Sequence, residues 1–286
     1  MEQGQRAGLI APVKPRGGLL KDRLASVLIF LRKTYLMGGE TMNSRLDLSA
    51  PIGNRILAAL NPTSYQHLLS HTERVTLSLG KVIYQPGQEV HHVYFPETAV
   101  FSMLCTMANG DTVEVGPVGR EGMVGLNIFF GRSVTPTEIV LQVGGTALKI
   151  DAQLLRNVLL DEKSLISHSL LRYTQMLLAM TSQSSACNKL HSIEEQLSRW
   201  LLTMHDYVGE ELLLTHDLIA QTLGVRRAGI SVHAKKFKDA GLIDYRRVHI
   251  RVLNRHGLEE IACECYQLIR DEYDRLYADL AKYSMA

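Results

Sequence analysis

The stretch 214–243 constrains the fold of this chain more than any other part of the sequence. Thr215 is a favourable N-cap residue, and Asp217 follows in the first helical turn, where negative charge is stabilising. The apolar residues that come next share one side of a short helix: Leu218, Ile219 and Leu223. We therefore expect a short amphipathic helix that begins just after Thr215.

A second helix follows after a tight turn. Gly224 stands where a helix-to-helix turn needs a residue that tolerates positive φ. The second helix is predicted to begin near Arg226, to end at Asp239 or Ala240, and to be stopped by Gly241. One of its sides is apolar at the spacing of a buried face: Ile230, Ala234 and Phe237.

The opposite side of this second helix is exposed and cationic in the prediction. A helix-turn-helix of this kind inserts its second helix into the major groove of DNA. The residues then placed to contact base edges are Arg227, Ala228, Ser231 and Val232. Arg227 has the donor geometry for guanine, whereas Ala228 and Val232 can contact only thymine methyl groups. The segment 243–253 is short and β-like, and it predicts two strands of a wing.

Charge supports an interaction with nucleic acid. Residues 215–256 contain nine Lys/Arg and three Asp/Glu, a net charge of +6, whereas the whole chain carries +2. A solvated charged face is the alternative that charge alone leaves open, but here the charge coincides with the helix-turn-helix. The residues predicted to hold DNA phosphates are Thr215, Arg226, Lys235, Lys236, Lys238, Arg246, Arg247 and Arg251.

The composition is that of a two-domain globular protein. The chain has 286 residues, of which 46% are apolar, and it has no apolar run of the roughly 20 residues that a membrane span needs. Its four cysteines form no CxxC pair. This argues against a disulfide scaffold or a zinc finger, so we predict no metal, no cofactor and a cytoplasmic location.

The region before the helix-turn-helix divides into three predicted parts. Residues 1–41 are Gly-rich and basic and are expected to form a weakly ordered extension. Residues 42–160 contain short strands separated by turns, which predicts a β-roll. The clearest strands lie at 73–79, 93–95, 100–104, 112–115 and 139–143.

Residues 161–190 are predicted to form a long dimerisation helix, and residues 191–286 a winged helix-turn-helix domain with one C-terminal amphipathic helix packed on it. The long helix carries a stripe with a seven-residue repeat that suits a two-helix dimer seam. The seam residues are Leu170, Tyr173, Leu177, Thr181 and Ser184. Periodicity leaves open that this stripe packs only on the β-roll.

This order of elements resembles the Crp/Fnr family of bacterial transcription regulators. The resemblance covers about Leu46 to Tyr266, and its most specific segments are 188–200, 223–231 and 239–245, together with 113–125 in the roll. It implies an α+β fold with a cyclic-nucleotide-binding-like β-roll. It also implies a homodimer that binds palindromic promoter DNA, that contacts RNA polymerase if it is an activator, and that responds to a small effector in the roll.

The effector motif departs from that of the family's cyclic-nucleotide-binding members. Leu126 stands where the resemblance implies the ribose-binding Glu, and Pro136 stands near the position of the phosphate-binding Arg. We therefore expect no dependence on cyclic nucleotides. An iron–sulfur cluster on N-terminal cysteines is disfavoured, because Cys105 is the first cysteine, and His91 and His92 are only weak candidates for haem ligands.

The predicted function is a DNA-binding transcription regulator and not an enzyme, since the sequence has no Walker A loop, nucleophile elbow or HExxH motif. The alternative is an effector-sensing module whose helix-turn-helix contacts protein instead of DNA.

Overall fold

The computed structural model describes residues 53–159, 165–246 and 248–284. The predicted extension 1–41 and residue Arg247 lie outside these ranges, so the predictions made for them stay predictions. Within the described residues the fold is α+β, with a β-roll, a long helix and a helix-turn-helix domain in that order. This confirms the predicted fold class.

The N-terminal domain begins with two short helices and continues as a β-roll. The helices are α1 (Arg55–Ala58) and α2 (Pro62–Leu69). The strands are β1 (Thr72–Leu77), β2 (Val82–Tyr84), β3 (His92–Pro96), β4 (Val100–Thr106), β5 (Thr112–Val118), β6 (Glu138–Val143) and β7 (Gly145–Asp151). Five of them match strands expected from alternation of apolar and polar residues, whereas β2 and β7 were not identified.

Two antiparallel sheets form the roll. One has the strand order β1-β7-β3 and the other β2-β6-β4-β5. Their facing side chains make the first core, in which Phe95 and Phe101 are fully buried. Alternation along β3, where Val93 and Phe95 are buried and Tyr94 is half-buried, directs apolar residues to this core.

Helix α3 (Ala152–Leu159) leads to the long helix α4 (Leu165–Leu190), which lies against the roll. Helix α5 (Ile193–Val208) follows after a two-residue turn. Ser192 caps α5 with a capping box, in which its hydroxyl accepts from the Glu195 N–H and the Glu195 carboxylate accepts from the Ser192 N–H. The turn His191-Ser192 is therefore a defined hinge between the two domains.

The second domain has its own core around Trp200, Leu223 and Phe237. Its elements are β8 (Glu211–Leu213), α6 (His216–Leu223), α7 (Arg227–Asp239), β9 (Ile243–Arg246), β10 (His249–Val252) and α8 (Arg255–Ile261). The expected wing strands are β9 and β10, and β8 adds a third strand on the other edge of β10.

The C-terminal region differs from the prediction. Instead of one helix on the helix-turn-helix, there are two helices, α8 and α9 (Cys265–Ser284), separated by a break at Ala262. Helix α9 returns to the long helix α4, where Tyr273 contacts Met180 and Arg172 lies 3.7 Å from Asp279. The prediction that the C-terminal helix packs on the helix-turn-helix is wrong for α9, because its apolar face completes the first core.

Two residues of the predicted dimer seam are also placed differently. Leu170 and Tyr173 are 0% and 1% exposed and belong to the core of their own chain. The seam prediction is wrong for these two, because the stripe packs on the roll. Leu177, Thr181 and Ser184 are half-buried, and their role at a dimer interface stays a prediction.

Among the described residues, no helix combines the length and apolar character needed to cross a membrane.

Candidate nucleic-acid interface

The two helices of the helix-turn-helix form as local sequence signals predict. The Thr215 hydroxyl caps α6 by accepting from the Leu218 N–H at 3.1 Å. Gly224 has a φ of +64° and ends α6 in the left-handed conformation. Helix α7 then buries Ile230, Ala234 and Phe237, so its opposite side faces outward. The predicted apolar face and turn are confirmed.

The residues predicted to contact bases lie at the exposed start of α7. The Arg227 side chain is 66% exposed and Val232 is 65% exposed. Ala228 is exposed as well. Ser231 is half-buried, and its hydroxyl lies 3.2 Å from His216 Nδ1. Burial lowers the pKa of His216, with a further contribution from the positive charge of Arg227.

The cations predicted to hold phosphates form a belt around this end of the domain, and most are paired with carboxylates of their own chain. Lys235 lies 2.5 Å from Asp239, and Lys238 lies 2.6 Å from Asp244. Exposed pairs of this kind are screened by solvent and stabilise the fold little. These cations are therefore held only weakly by carboxylates of their own chain. The other described pairs are Arg227–Asp217, Lys236–Glu194, Arg246–Asp244 and Arg251–Glu210.

The wing extends the same surface. β9 and β10 pair antiparallel, with His249 opposite Arg246 and Arg251 opposite Asp244. The side chains of Arg246 and Arg251 are 85% and 58% exposed. Helix α7, which is the recognition helix of the predicted helix-turn-helix, and the wing both carry exposed cationic side chains.

The helix-turn-helix domain also contacts the roll, which the sequence did not predict. Gln142 of β6 lies 3.5 Å from the Thr222 hydroxyl of α6. A Cβ added to Gly224 would lie 3.2 Å from Val113, so α6 approaches β5 closely. The recognition helix α7 is consequently linked to the β-roll through α6.

A buried carboxyl lies close to this contact. Glu114 of β5 is 8% exposed and accepts a short hydrogen bond from the Ser102 hydroxyl. Burial raises its pKa to about 7, against a smaller opposing effect of the positive charge on Arg199. Arg199 belongs to α5, so a carboxyl of the roll and a guanidinium of the DNA-binding domain interact electrostatically.

A cavity of about 250 Å³ lies between the N-terminal domain, α5 and α9. Its lining combines three arginines with three acidic residues and several tyrosines, so groups of both charges line it: Arg55, Arg120, Arg270, Glu121, Asp206, Asp274, Tyr207, Tyr273 and Tyr277. This cavity is built largely by α9, which explains why the sequence pattern did not reveal it.

The segment of the roll that corresponds to the family's effector motif lacks the expected polar side chains. Gly125 has a φ of +98° and precedes a short 3-10 helix, Leu126–Ile128. The Leu126 side chain packs against the first core, and Pro136 is exposed. Neither residue offers a charged partner to a sugar or a phosphate.

The fold brings together four side chains of metal-ligand type. Cys187, His191, Cys263 and Cys265 have ligand atoms within 4.8 Å of one another. Cys263 lies just before α9 and Cys265 is the first residue of that helix. A hydrogen bond from Cys263 and the charge of Arg199 lower the pKa of Cys187, although burial opposes them.

Two family models match the chain and together cover more than half of it. A cyclic nucleotide-binding domain matches residues 74–162, and a Crp-like helix-turn-helix domain matches residues 195–261. No curated protein sequence matches the chain.

Solved structures show the same fold. FixK2 from Bradyrhizobium japonicum covers 67% of this chain and 98% of its own, at 14% identity and a TM-score of 0.58. A transcriptional regulator of the CRP family from Thermus thermophilus covers 65% of this chain and 95% of its own, at 15% identity and a TM-score of 0.57.

A further similar structure is described as a transcriptional regulator of the Crp/Fnr family from Eubacterium rectale. It covers 72% of this chain and 96% of its own, at 17% identity and a TM-score of 0.56. The chain thus combines a β-roll, a long helix and a helix-turn-helix with a cationic face, and both domain models match it. The chain belongs to the Crp/Fnr family of transcription regulators.

Proposed function

We propose that this transcription regulator binds a two-fold symmetric promoter site as a homodimer and does so without a cyclic nucleotide. The observation that carries the proposal is the exposed, cationic start of α7 beside the cationic wing. Charged groups in this arrangement bind phosphates on both sides of a groove while α7 reaches base edges.

Homodimerisation is proposed to use the face of α4 that neither the roll nor α9 covers. Leu171 and Leu178, seven residues apart, are 53% and 63% exposed. Their neighbours on this face are exposed polar residues: Gln175, Ser182 and Ser185. We propose that α4 of a second chain packs on this face and buries both leucines. The two recognition helices of the dimer are then related by a two-fold axis.

This geometry has a consequence for the DNA site. Two recognition helices of a dimer enter successive major grooves about 34 Å apart on one face of the duplex. The preferred site is therefore an inverted repeat, with guanine opposite Arg227 and thymine methyl groups opposite Ala228 and Val232.

Independence from cyclic nucleotides is proposed from the residues of the roll. Leu126 is turned to the core and Pro136 carries no donor, so the sugar hydroxyl and the cyclic phosphate lack charged partners.

The test is selection of duplexes from a random library by the purified full chain, followed by affinity measurements at two salt concentrations. We expect enrichment of an inverted repeat and a steep loss of affinity with salt. Recovery of no preferred sequence, with DNA binding no tighter than that of an acidic control protein, would favour the alternative in which the helix-turn-helix contacts protein.

A further inference from the structure

Three cysteines and one histidine meet at the hinge between the two domains. Cys187 lies in the last turn of α4 and His191 directly follows that helix. The His191 N–H donates to the Cys187 carbonyl at 3.1 Å, so the helical turn carries both side chains to the same side. Cys263 and Cys265 come from the turn between α8 and α9. The three cysteines are 0%, 5% and 0% exposed, in chain order, so their sulfur atoms are shielded from solvent.

Two of the distances between these atoms match the edges of a metal tetrahedron, and all four ligand atoms lie within 4.8 Å of one another. Cys187 Sγ and Cys263 Sγ are 3.5 Å apart, and Cys265 Sγ is 3.5 Å from His191 Nδ1. Zinc binds thiolate sulfur at about 2.3 Å and imidazole nitrogen at about 2.0–2.1 Å, so the edges of its tetrahedron are roughly 3.5–3.8 Å. Three thiolates and one imidazole complete four-coordination and leave no open position for a substrate.

Groups around the cluster orient its members. His191 Nε2 lies 3.3 Å from a carboxylate oxygen of Glu264, which stabilises a proton on Nε2, and Nδ1 is the nitrogen that lies 3.5 Å from Cys265 Sγ. The Gln183 amide donates to Cys265 Sγ at 3.0 Å. A carboxylate behind a ligating histidine is the usual outer support of a zinc site.

Charge around the cluster is also suitable. Three thiolates and Zn²⁺ have a net charge of −1, and Arg199 is 7% exposed and acts electrostatically on Cys187. Arg199 Nε has no hydrogen-bond partner among the described residues, so its positive charge is available to a neighbouring anionic site.

We propose that Cys187, His191, Cys263 and Cys265 bind one structural zinc ion. The ion ties the end of α4 to the turn that links α8 and α9. Helix α8 is part of the DNA-binding core, since the Ser198 hydroxyl donates to the Leu258 carbonyl at 2.6 Å. Zinc therefore holds the long helix, the DNA-binding domain and the C-terminal helix together at the His191-Ser192 hinge.

The direct test is metal analysis of the full chain, purified with reducing agent and without a metal-affinity tag. We expect about one zinc ion per chain, with Cys265→Ser and His191→Ala each losing most of it. Cys105→Ser is the matched control, because Cys105 lies on β4 away from the cluster, and it should keep wild-type zinc.

A second measurement guards against misfolding of these variants. Zinc is removed from the wild type with a chelator, and Co²⁺ is added in its place. We expect intense visible absorption from tetrahedral cobalt–thiolate coordination. Glu264→Gln leaves all four ligands in place and should weaken zinc affinity about 10- to 100-fold, as loss of an outer partner does.

Several outcomes would overturn the proposal. These are wild-type protein with four free thiols and no zinc, a Cys187–Cys263 disulfide in reduced preparations, or iron with inorganic sulfide in place of zinc. Metal content is measured without DNA, so failure of the DNA-binding proposal leaves this test intact.

Discussion

The Tyr207 hydroxyl of α5 donates a hydrogen bond of 2.8 Å to the Glu121 carboxylate of the roll, across the boundary between the two domains. Glu121 is 2% exposed and also accepts from the Gly119 N–H. Burial raises the pKa of Glu121, and both hydrogen bonds oppose that effect. The contact between domains therefore includes a buried acid whose state depends on α5.

Tyr207→Phe removes one donor from this acid. We expect a loss of about 1–3 kcal/mol in stability, because a buried acceptor is left with fewer partners. Urea unfolding followed by circular dichroism measures it. Tyr277 lines the same cavity but does not donate to Glu121, so the control variant Tyr277→Phe should lower stability less. Equal losses in the two variants would contradict the role of the Tyr207–Glu121 hydrogen bond.

Leu178→Asp tests the dimer surface. Leu178 is 63% exposed in the single chain, so the change should leave the monomer folded while placing two charges in the proposed seam. We expect dissociation to monomers in sedimentation velocity, with loss of DNA affinity. Leu268→Asp, at an exposed leucine of α9, is the control and should remain dimeric. A Leu178→Asp protein that sediments as a dimer would exclude this face.

Arg227→Ala tests base readout. A bidentate contact to guanine contributes roughly 1–3 kcal/mol of discrimination, so the variant should relax sequence preference at one position of each half-site. Lys235→Ala is the comparison. It should lower the affinity for all DNA sequences alike and reduce the slope of log affinity against log salt concentration by about one. Footprinting and salt titration measure both effects. An unchanged ranking of sites for Arg227→Ala would mean that Arg227 only clamps phosphate.

The raised pKa of Glu114 predicts that the stability of the protein depends on pH. Its pKa is about 7 in the folded chain and 4.5 in the unfolded reference, so between these values the folded state keeps a proton that the unfolded state releases. The contribution of Glu114 to the free energy of unfolding is therefore greatest below pH 4.5. It declines as the pH rises to about 7, by about 3 kcal/mol in total.

The variant Glu114→Gln imitates the protonated acid and should remove that decline. The denaturant midpoint of this variant should equal that of the wild type near pH 4 and should be higher than that of the wild type at pH 8. Glu89→Gln, at an exposed position of the roll, should keep the wild-type pH profile. An unaltered pH profile for Glu114→Gln would show that Glu114 ionises normally.

Cyclic AMP and cyclic GMP are expected not to bind. Calorimetry at micromolar to millimolar nucleotide should give no saturable heat, and DNA affinity should not change. The reason is that Leu126 and Pro136 supply neither carboxylate nor guanidinium. Saturable binding at micromolar concentration would place the nucleotide on other groups of the roll.

The helix-turn-helix was predictable from the sequence because its signals are local. The Thr215 cap, the positive φ at Gly224 and the apolar face of α7 all act within a few residues. The seam was not predictable in full, since a seven-residue repeat shows that a stripe is buried but not which surface buries it. Leu170 thus proved to be part of the roll's core.

The cysteine cluster shows a different limit. Cys187 and Cys263 are 76 positions apart, and no spacing rule connects them. Only the return of α9 to α4 brings them together. The same return creates the tyrosine-lined cavity, so both sites depend on a tertiary contact that local pattern does not specify.

The position of α9 has a consequence for synthesis on the ribosome. Ile269, Leu276 and Leu280 complete the core of the roll, yet they are translated after the whole helix-turn-helix domain. Domains that precede others normally fold first as the chain emerges. Here the core of the β-roll is completed only after α9 has been synthesised, so a premature stop codon after Ala262 would damage that core and leave the recognition helix encoded intact.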